Sequence, residues 1–256
     1  MARLEINYSA FGTATMDVVI PQYGDAPHHA RMSEAAFYGQ KFKVLYLLHA
    51  EGESGVDPLR FTLAEAYAAQ RDLVVVCPTI ENSFGLDLER GDPWEDFLLN
   101  GLPQVIGQML PVSQRREDTF IAGFSMGGYA ALRLALKHPG RYGRAASFFG
   151  LLEPTPQNLA PHWNAAQYAY VFGTPEGGQA AAHALPALAD ALGCEKPALS
   201  LYAAPEDAEA PALLERLKAG GCPARLTTLP GPAACPEARN AALKDFILGL
   251  PADAAD

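Results

Sequence analysis

A glycine-flanked serine is the residue best placed to do chemistry in this sequence. Residues 123–127 read Gly-Phe-Ser-Met-Gly, the pattern Gly-x-Ser-x-Gly. A short β-prone apolar run at 119–122 precedes it, and a strong helix-forming run at 129–137 follows it. This is the setting of a nucleophile elbow, where the glycines lack the Cβ that would keep strand and helix apart. The pattern predicts Ser125 as a nucleophile; the alternative is a glycine-rich turn with an incidental serine.

The elements that must position this serine are apolar runs alternating with helix-forming runs. Two segments of alternating polarity, residues 4–8 and 13–20, predict an opening hairpin. Later strands are predicted at residues 42–49, 73–77, 119–122, 145–149, 198–202 and 225–229. Helices are predicted at residues 59–70, 94–110, 129–137, 212–218 and 241–250. This alternation predicts one α/β domain, residues 1–256, with a mostly parallel sheet of about eight strands and helices on both faces. Residues 151–193 change to a Pro-, Ala-, Gln- and Tyr-rich pattern, which predicts a cap-like helical insertion over the strand ends.

The composition limits the class of protein and its partners. The chain has 256 residues, of which 49% are hydrophobic, so it can bury a large core. Its net charge is −10 and it has no basic cluster, which argues against nucleic acid and anionic membrane surfaces as partners. No apolar signal segment and no long membrane span is visible. We expect a soluble, reduced, cytoplasmic protein, and the sequence leaves open whether it forms a homo-oligomer.

Neither the cysteines nor the paired histidines predict a metal centre. The four cysteines lie far apart, without a Cys-x-x-Cys pair. His28 and His29 are adjacent in a polar, irregular segment, where neighbouring histidines are usually just solvated. We therefore expect no metal and no cofactor.

Four stretches carry a resemblance to a known family. They are VLYLLH at 44–49, PTIENSF at 78–84, RED at 116–118 and GFSMGGY at 123–129. With these residues the chain resembles the esterase family of α/β-hydrolases that includes tributyrin esterases, S-formylglutathione hydrolases and feruloyl or acetyl-xylan esterases. The resemblance covers nearly the whole chain. It implies the α/β-hydrolase fold and a serine carboxylesterase that acts on a small-molecule ester with a short acyl group.

The resemblance also assigns roles around Ser125. A serine hydrolase needs a base, an acid that orients the base, and N–H donors for the oxyanion. The backbone N–H of Met126, at the start of the elbow helix, is one predicted donor. The family pattern implies the backbone N–H of Glu51 as the second donor and Asp207 as the acid. Its usual His-Gly is replaced here by His49-Ala50, and the Glu51 carboxylate would oppose the oxyanion if it pointed inward but not if it pointed to solvent.

The base is missing from its expected place. The family has a histidine in the loop after the last strand, where this chain reads Pro-Gly-Pro-Ala-Ala-Cys-Pro at 230–236. The expected position falls on Ala233 or Ala234, depending on whether it is counted from the strand or from the last helix. No histidine follows His183. A substitute base would have to be His183 or His162, both in the insertion, because triads are defined by geometry rather than by chain order.

Two hypotheses from different classes follow. The first is a serine carboxylesterase that uses Ser125, Asp207 and a base from elsewhere in the chain; transfer of the acyl group to an acceptor other than water would use the same site. The second is an inactive esterase fold that binds a ligand or partner, which the substituted oxyanion loop and the degenerate triad favour. Loss of one triad member costs up to roughly 10⁶ in turnover, so the base decides between them.

Overall fold

The computed structural model describes residues 1–8, 14–89, 91–174, 183–231 and 235–251. Its strands, in chain order, are β1 (Ala2–Tyr8), β2 (Ala14–Ile20), β3 (Lys43–Leu48), β4 (Leu73–Pro78), β5 (Thr119–Phe124), β6 (Arg144–Phe148), β7 (Ala198–Ala203) and β8 (Ala224–Thr228). They form one sheet in the order β1-β2-β4-β3-β5-β6-β7-β8. β1 and β2 form an antiparallel hairpin, β2 pairs antiparallel with β4, and every pair from β4 to β8 is parallel. The predicted mostly parallel sheet of about eight strands is confirmed.

The helices lie between these strands. They are α1 (Glu34–Gly39), α2 (Asp57–Phe61), α3 (Ala64–Ala69), α4 (Trp94–Asp96), α5 (Leu102–Met109), α6 (Met126–Lys137), α7 (Pro156–Leu159), α8 (Ala165–Phe172), α9 (Leu185–Asp190), α10 (Glu209–Ala219) and α11 (Pro236–Leu248). A π-helical turn, Phe97–Gly101, joins α4 to α5. None of the helices in the described ranges has the length and apolar character needed to cross a bilayer.

Two helix predictions were wrong in their extent. The predicted helix at 59–70 is two short helices, because Thr62 is extended (φ −134°, ψ 172°) and its side-chain oxygen accepts a hydrogen bond from the Ala64 N–H (3.2 Å). The last helix begins at Pro236 rather than at 241. Proline is well suited to the first turn of a helix, since the N–H that it lacks would have no partner there.

The central strands are buried on both faces, which explains their continuous apolar sequences. Alternate residues of β3 point to opposite sides of the sheet. Tyr46 and Leu48 join the core cluster that also contains the elbow helix residue Tyr129. Leu45 and Leu47 join the cluster on the other face, which is covered by α3 and α11. The sheet therefore holds the carboxyl end of β5, where Ser125 follows, between two packed helical layers.

A buried ionic cluster fixes the elbow helix to the segment before it. Glu95 accepts hydrogen bonds from Arg133 (2.9 Å) and Lys137 (2.7 Å), and Arg133 also contacts His183 Nδ1 (3.3 Å). Arg133 is 2% exposed. Burial alone would raise the pKa of Glu95, but the hydrogen bond from Lys137 and the charge of Arg133 lower that pKa to about 2. The cluster ties α4, α6 and the start of α9 into one unit.

We predict that this cluster controls acid stability. Because the folded-state pKa of Glu95 is depressed, its stabilising contribution is present above about pH 4.5 and is lost as the pH falls towards 2. Replacing Glu95 by glutamine leaves Arg133 buried without its counter-ion, so Glu95→Gln should lower the free energy of unfolding at pH 7 by about 3 kcal/mol. Urea unfolding at several pH values measures this.

The control is Glu215→Gln, at an exposed site on α10. It should change the free energy of unfolding by less than about 0.5 kcal/mol. The gap between wild type and Glu95→Gln should shrink towards pH 2. A gap of constant size down to pH 2 would contradict the assignment of the acid transition to Glu95.

Candidate active site

The serine sits on a strained turn that glycines make possible. Ser125 lies between β5 and α6 with φ 49° and ψ −114°, a conformation that costs a side-chain-bearing residue about 1–3 kcal/mol. A Cβ on Gly123 would collide with the backbone of Gly127. A Cβ on Gly127 would lie 2.5 Å from the His49 carbonyl oxygen at the end of β3. The close approach of β5, α6 and β3 therefore requires both glycines, and it presents Ser125 at the sheet edge.

Two backbone amides near Ser125 have no acceptor in the described part of the chain. The Met126 N–H belongs to the first turn of α6, where helical amides lack an intrahelical partner. The Glu51 N–H lies in the loop that follows β3, and it donates to no loop carbonyl or side chain in the described ranges. Both are the amides that the sequence assigned to the oxyanion.

The loop that carries Glu51, residues 49–53, is held from both ends, and we call it the oxyanion loop after its predicted role. His49 is fully buried; its Nδ1 lies 2.7 Å from the Ala50 carbonyl oxygen, and its Nε2 lies 3.0 Å from the Ile80 N–H. Burial lowers the pKa of His49, so the ring is neutral with Nδ1 as donor and Nε2 as acceptor. Both nitrogens serve the backbone. Glu53 closes the other end, since its Oε2 accepts from the Ala50 N–H (3.2 Å).

Arg239 adds a cation to this loop that the sequence analysis missed. Its guanidinium donates to Glu53 Oε1 (2.8 Å) and lies 5.0 Å from the centre of the Phe124 ring. The side chain is 14% exposed. Arg239 thus connects α11, the oxyanion loop and the residue before Ser125. The sequence places α11 next to the sheet but does not show which of its side chains points to the strand ends.

Ser125 opens into a cavity of about 380 Å³. The residues that line it include Phe124, Phe148 and Phe149, the acidic residues Glu51 and Glu53, and the basic residues Arg239 and His162. His162 is exposed, on the turn after α7, and its backbone N–H donates to the Leu159 carbonyl (2.9 Å). The structure therefore places one of the two histidines considered as a substitute base on the same cavity as the serine.

His183 lies elsewhere. Its Nδ1 contacts Arg133 (3.3 Å), and its carbonyl oxygen accepts from the Tyr129 hydroxyl (2.6 Å). Burial and the charges of Arg133 and Lys137 lower the pKa of His183, which keeps the ring neutral. It lines two other cavities and not the one that contains Ser125.

The Glu51 side chain points to the turn between α7 and α8. Its carboxylate accepts a hydrogen bond from the Trp163 indole N–H while it remains on the wall of the Ser125 cavity. The sequence left open whether the Glu51 carboxylate points to solvent or inward, and the structure shows that it is not fully exposed to solvent. The hydrogen bond holds the turn between α7 and α8 against the oxyanion loop.

Asp207 lies at the start of α10, where its Oδ1 accepts from the N–H groups of Glu209 (2.8 Å) and Ala210 (3.0 Å). Within the described ranges no histidine donates to this carboxylate, so its observed contacts are those of a helix cap. The positions expected for the base, Ala233 and Ala234, lie outside the described residues.

The sequence suggested that His28 and His29 are simply solvated, but the structure gives both side chains a partner. Their Nε2 atoms lie 2.7 Å from the two carboxylate oxygens of Asp72, and the His29 side chain is 2% exposed. Nδ1 of His29 accepts from the Gly24 N–H (2.9 Å), so the proton is on Nε2 and points at Asp72. A metal ligand needs a lone pair at that nitrogen. His28, His29 and Asp72 therefore form hydrogen bonds that connect residues 24–29 to the turn before β4.

Comparison with known proteins gives one family and one fold. The sequence profile of the family described as "Putative esterase" matches residues 33–200. An acetyl esterase of Caldicellulosiruptor saccharolyticus is 37% identical over 100 residues, which are 39% of this chain and 38% of that protein. The match thus spans little more than a third of the acetyl esterase.

Two solved structures from Staphylococcus aureus share the fold. One is a substrate-bound fluorophosphonate-binding serine hydrolase, and the other is an S-formylglutathione hydrolase without ligand. Each is 23% identical to this chain with a TM-score of 0.80, over 97% of this chain and 98% of the other.

We predict that Arg239 holds the oxyanion loop in place. Arg239→Met keeps the apolar stem but removes the charge, so Glu53 loses its counter-ion and the Ala50–Glu53 turn loosens. Amide hydrogen exchange at residues 50–52 should accelerate about tenfold, with a loss of about 1–2 kcal/mol in the free energy of unfolding.

The matched control is Arg216→Met. Arg216 pairs with Asp190 at 2.9 Å, and both side chains are more than half exposed, so this pair contributes little. Equal hydrogen exchange at residues 50–52 in Arg239→Met and wild type would show that Arg239 does not position the loop.

Proposed function

This chain belongs to the esterase family of α/β-hydrolases, and from that premise we propose that it hydrolyses short acyl esters with Ser125 as the nucleophile. One observation carries the proposal. Ser125, in a strained backbone conformation, lines the same cavity as His162 and Glu51, and the N–H groups of Met126 and Glu51 have no acceptor in the described ranges. These are the parts that acyl transfer through a covalent serine intermediate needs.

The proposed mechanism gives each group one role. His162 takes the proton of the Ser125 hydroxyl as Oγ attacks the ester carbonyl carbon. The N–H groups of Met126 and Glu51 donate to the oxyanion that forms, and the positive end of α6 adds to that stabilisation. The tetrahedral intermediate expels the alcohol, which takes the proton from His162. Water, deprotonated by His162, then attacks the acyl carbon; the second tetrahedral intermediate expels Ser125 Oγ, which takes the proton back from His162 as the acid is released.

The turnover expected of this site is low, because no acid in the described part of the chain orients His162 as the base. Asp207 caps α10, and in the described ranges no acid partners the His162 ring. Loss of the orienting acid from a complete triad costs roughly 10⁴ in turnover. We therefore propose a slow esterase. The aromatic walls and the size of the cavity suit a small acyl group.

A second candidate is a ligand-binding protein without turnover. The observation that favours it is the Asp207 carboxylate, which serves the α10 backbone, together with the absence of any histidine after His183 in the sequence. In that case Ser125 would contribute a hydroxyl to a binding pocket. The two candidates differ in whether the Ser125 hydroxyl is activated.

We predict that hydrolysis of p-nitrophenyl butyrate depends on Ser125 and His162. Ser125→Ala should lower the rate at least about a hundredfold, and His162→Ala should lower it by about 10²–10⁴ because the base is gone. Added imidazole should restore part of the His162→Ala rate and none of the Ser125→Ala rate. A purely structural role of His162 would not give this rescue.

The control is His183→Gln, which removes an imidazole that does not line the Ser125 cavity. Once corrected for folded protein, its rate should stay within about threefold of wild type. Equal rates in wild type and Ser125→Ala would contradict the esterase proposal and favour a ligand-binding protein without turnover. An undiminished rate in His162→Ala would keep the esterase but remove His162 as its base.

A further inference from the structure

A second cavity lies beside the one that contains Ser125. It has a volume of about 500 Å³, and its walls include Glu81, Asn82, Trp163 and Tyr170. Two hydrogen bonds form the partition between the cavities. The Trp163 indole donates to Glu51, and the Gly52 N–H donates to Asn82 Oδ1 (2.9 Å). The two cavities are therefore adjacent, with these two contacts between them.

The uncharged polar side chains of this cavity are already committed to the protein. Each has its oxygen engaged by a backbone N–H: Asn82 by Gly52 (2.9 Å), Asn164 by Gln167 (3.0 Å), Gln167 by Asn164 (2.8 Å) and Ser83 by Gly85 (3.1 Å). These contacts hold the four side chains in place on the cavity wall.

The Glu81 carboxylate is different. It is exposed, sits on a residue with φ 50°, and makes no hydrogen bond or ion pair within the described ranges. Two aromatic side chains share the cavity with it: Trp163, which is half-buried, and Tyr170, which is 51% exposed. A carboxylate together with aromatic rings attracts an ammonium group through charge and cation–π contacts.

The charges around both cavities favour the same ligand. In the described lining, three carboxylates (Glu51, Glu53 and Glu81) face one guanidinium (Arg239), which is already paired with Glu53. The whole chain has a net charge of −10. A cationic ligand is therefore attracted both at long range and at the site, whereas an anionic one is repelled.

We propose that the cavity beside Ser125 binds an ammonium group carried on the alcohol portion of the ester, with Glu81 as its counter-ion and Trp163 and Tyr170 as its aromatic walls. The inference rests on the proposed function for the role of this group as a leaving group. The binding of the cation itself does not require turnover, so it can be measured separately.

The test uses two alcohols of the same shape. Choline has a quaternary nitrogen where 3,3-dimethylbutan-1-ol has a carbon. Each alcohol gives a nine-proton methyl signal in NMR, and the broadening of that signal on addition of protein reports binding. Choline should bind about 3- to 30-fold tighter. Glu81→Gln should weaken choline roughly fivefold and leave the neutral alcohol unchanged, because only the cation uses the carboxylate. Glu215→Gln, with the same change of net charge, should affect neither.

Equal affinities for the two alcohols, or an equal loss for choline in Glu81→Gln and Glu215→Gln, would overturn the inference. Hydrolysis of acetylcholine and 3,3-dimethylbutyl acetate separates this result from the proposed function. Turnover of either ester without preferential choline binding keeps the esterase and removes the cation site. Preferential choline binding together with equal p-nitrophenyl butyrate rates in wild type and Ser125→Ala would support the cation site and contradict the esterase proposal.

Discussion

The close backbone approach at the end of β5 is the constraint on which the rest of the site depends. Gly123 and Gly127 bring the strand, α6 and the end of β3 within distances that any Cβ would block. This approach forces Ser125 into its strained conformation and at the same time aims the first amides of α6 at the same space. The surrounding packing stabilises the strained turn, since β3 and β5 are buried throughout and α6 is buried from Met126 to Leu136.

The oxyanion loop contains one glycine in the left-handed region, Gly52 (φ 74°), and is otherwise shaped by side-chain contacts. It carries Ala50 and two glutamates, and its conformation depends on contacts with three distant parts of the chain. His49 connects it to the turn after β4, Arg239 connects it to α11, and Trp163 connects it to the turn between α7 and α8. Each carboxylate accepts a hydrogen bond, Glu51 from Trp163 and Glu53 from Arg239, so the loop places negative charge on the cavity wall. We expect this charge to attract cations to both cavities.

Much of the fold followed from the sequence because its signals are local. Strands buried on both faces are continuous apolar runs, and the elbow pattern combines three such signals in order. The break at Thr62 was missed because a side-chain-to-backbone hydrogen bond, not proline or glycine, ends the helix there. The family membership was also within reach, since its motifs surround β3, β4 and β5.

The contents of the site were less accessible. The positions of His162 and Arg239 on the Ser125 cavity, and of His28 and His29 on Asp72, depend on side-chain directions and on chain segments far apart in sequence. No spacing rule connects them. Charge pairing of this kind follows from the folded arrangement, so the sequence could offer both late histidines as substitute bases but could not choose between them.

The central claim is that His162 activates Ser125, and labelling with a fluorophosphonate tests it most directly because that reagent reacts with an activated serine. We predict one adduct per chain, located on Ser125 by peptide mass spectrometry, with a labelling rate at least about a hundredfold lower in His162→Gln. Absence of an adduct on Ser125, or an equal labelling rate in His162→Gln, would contradict the account.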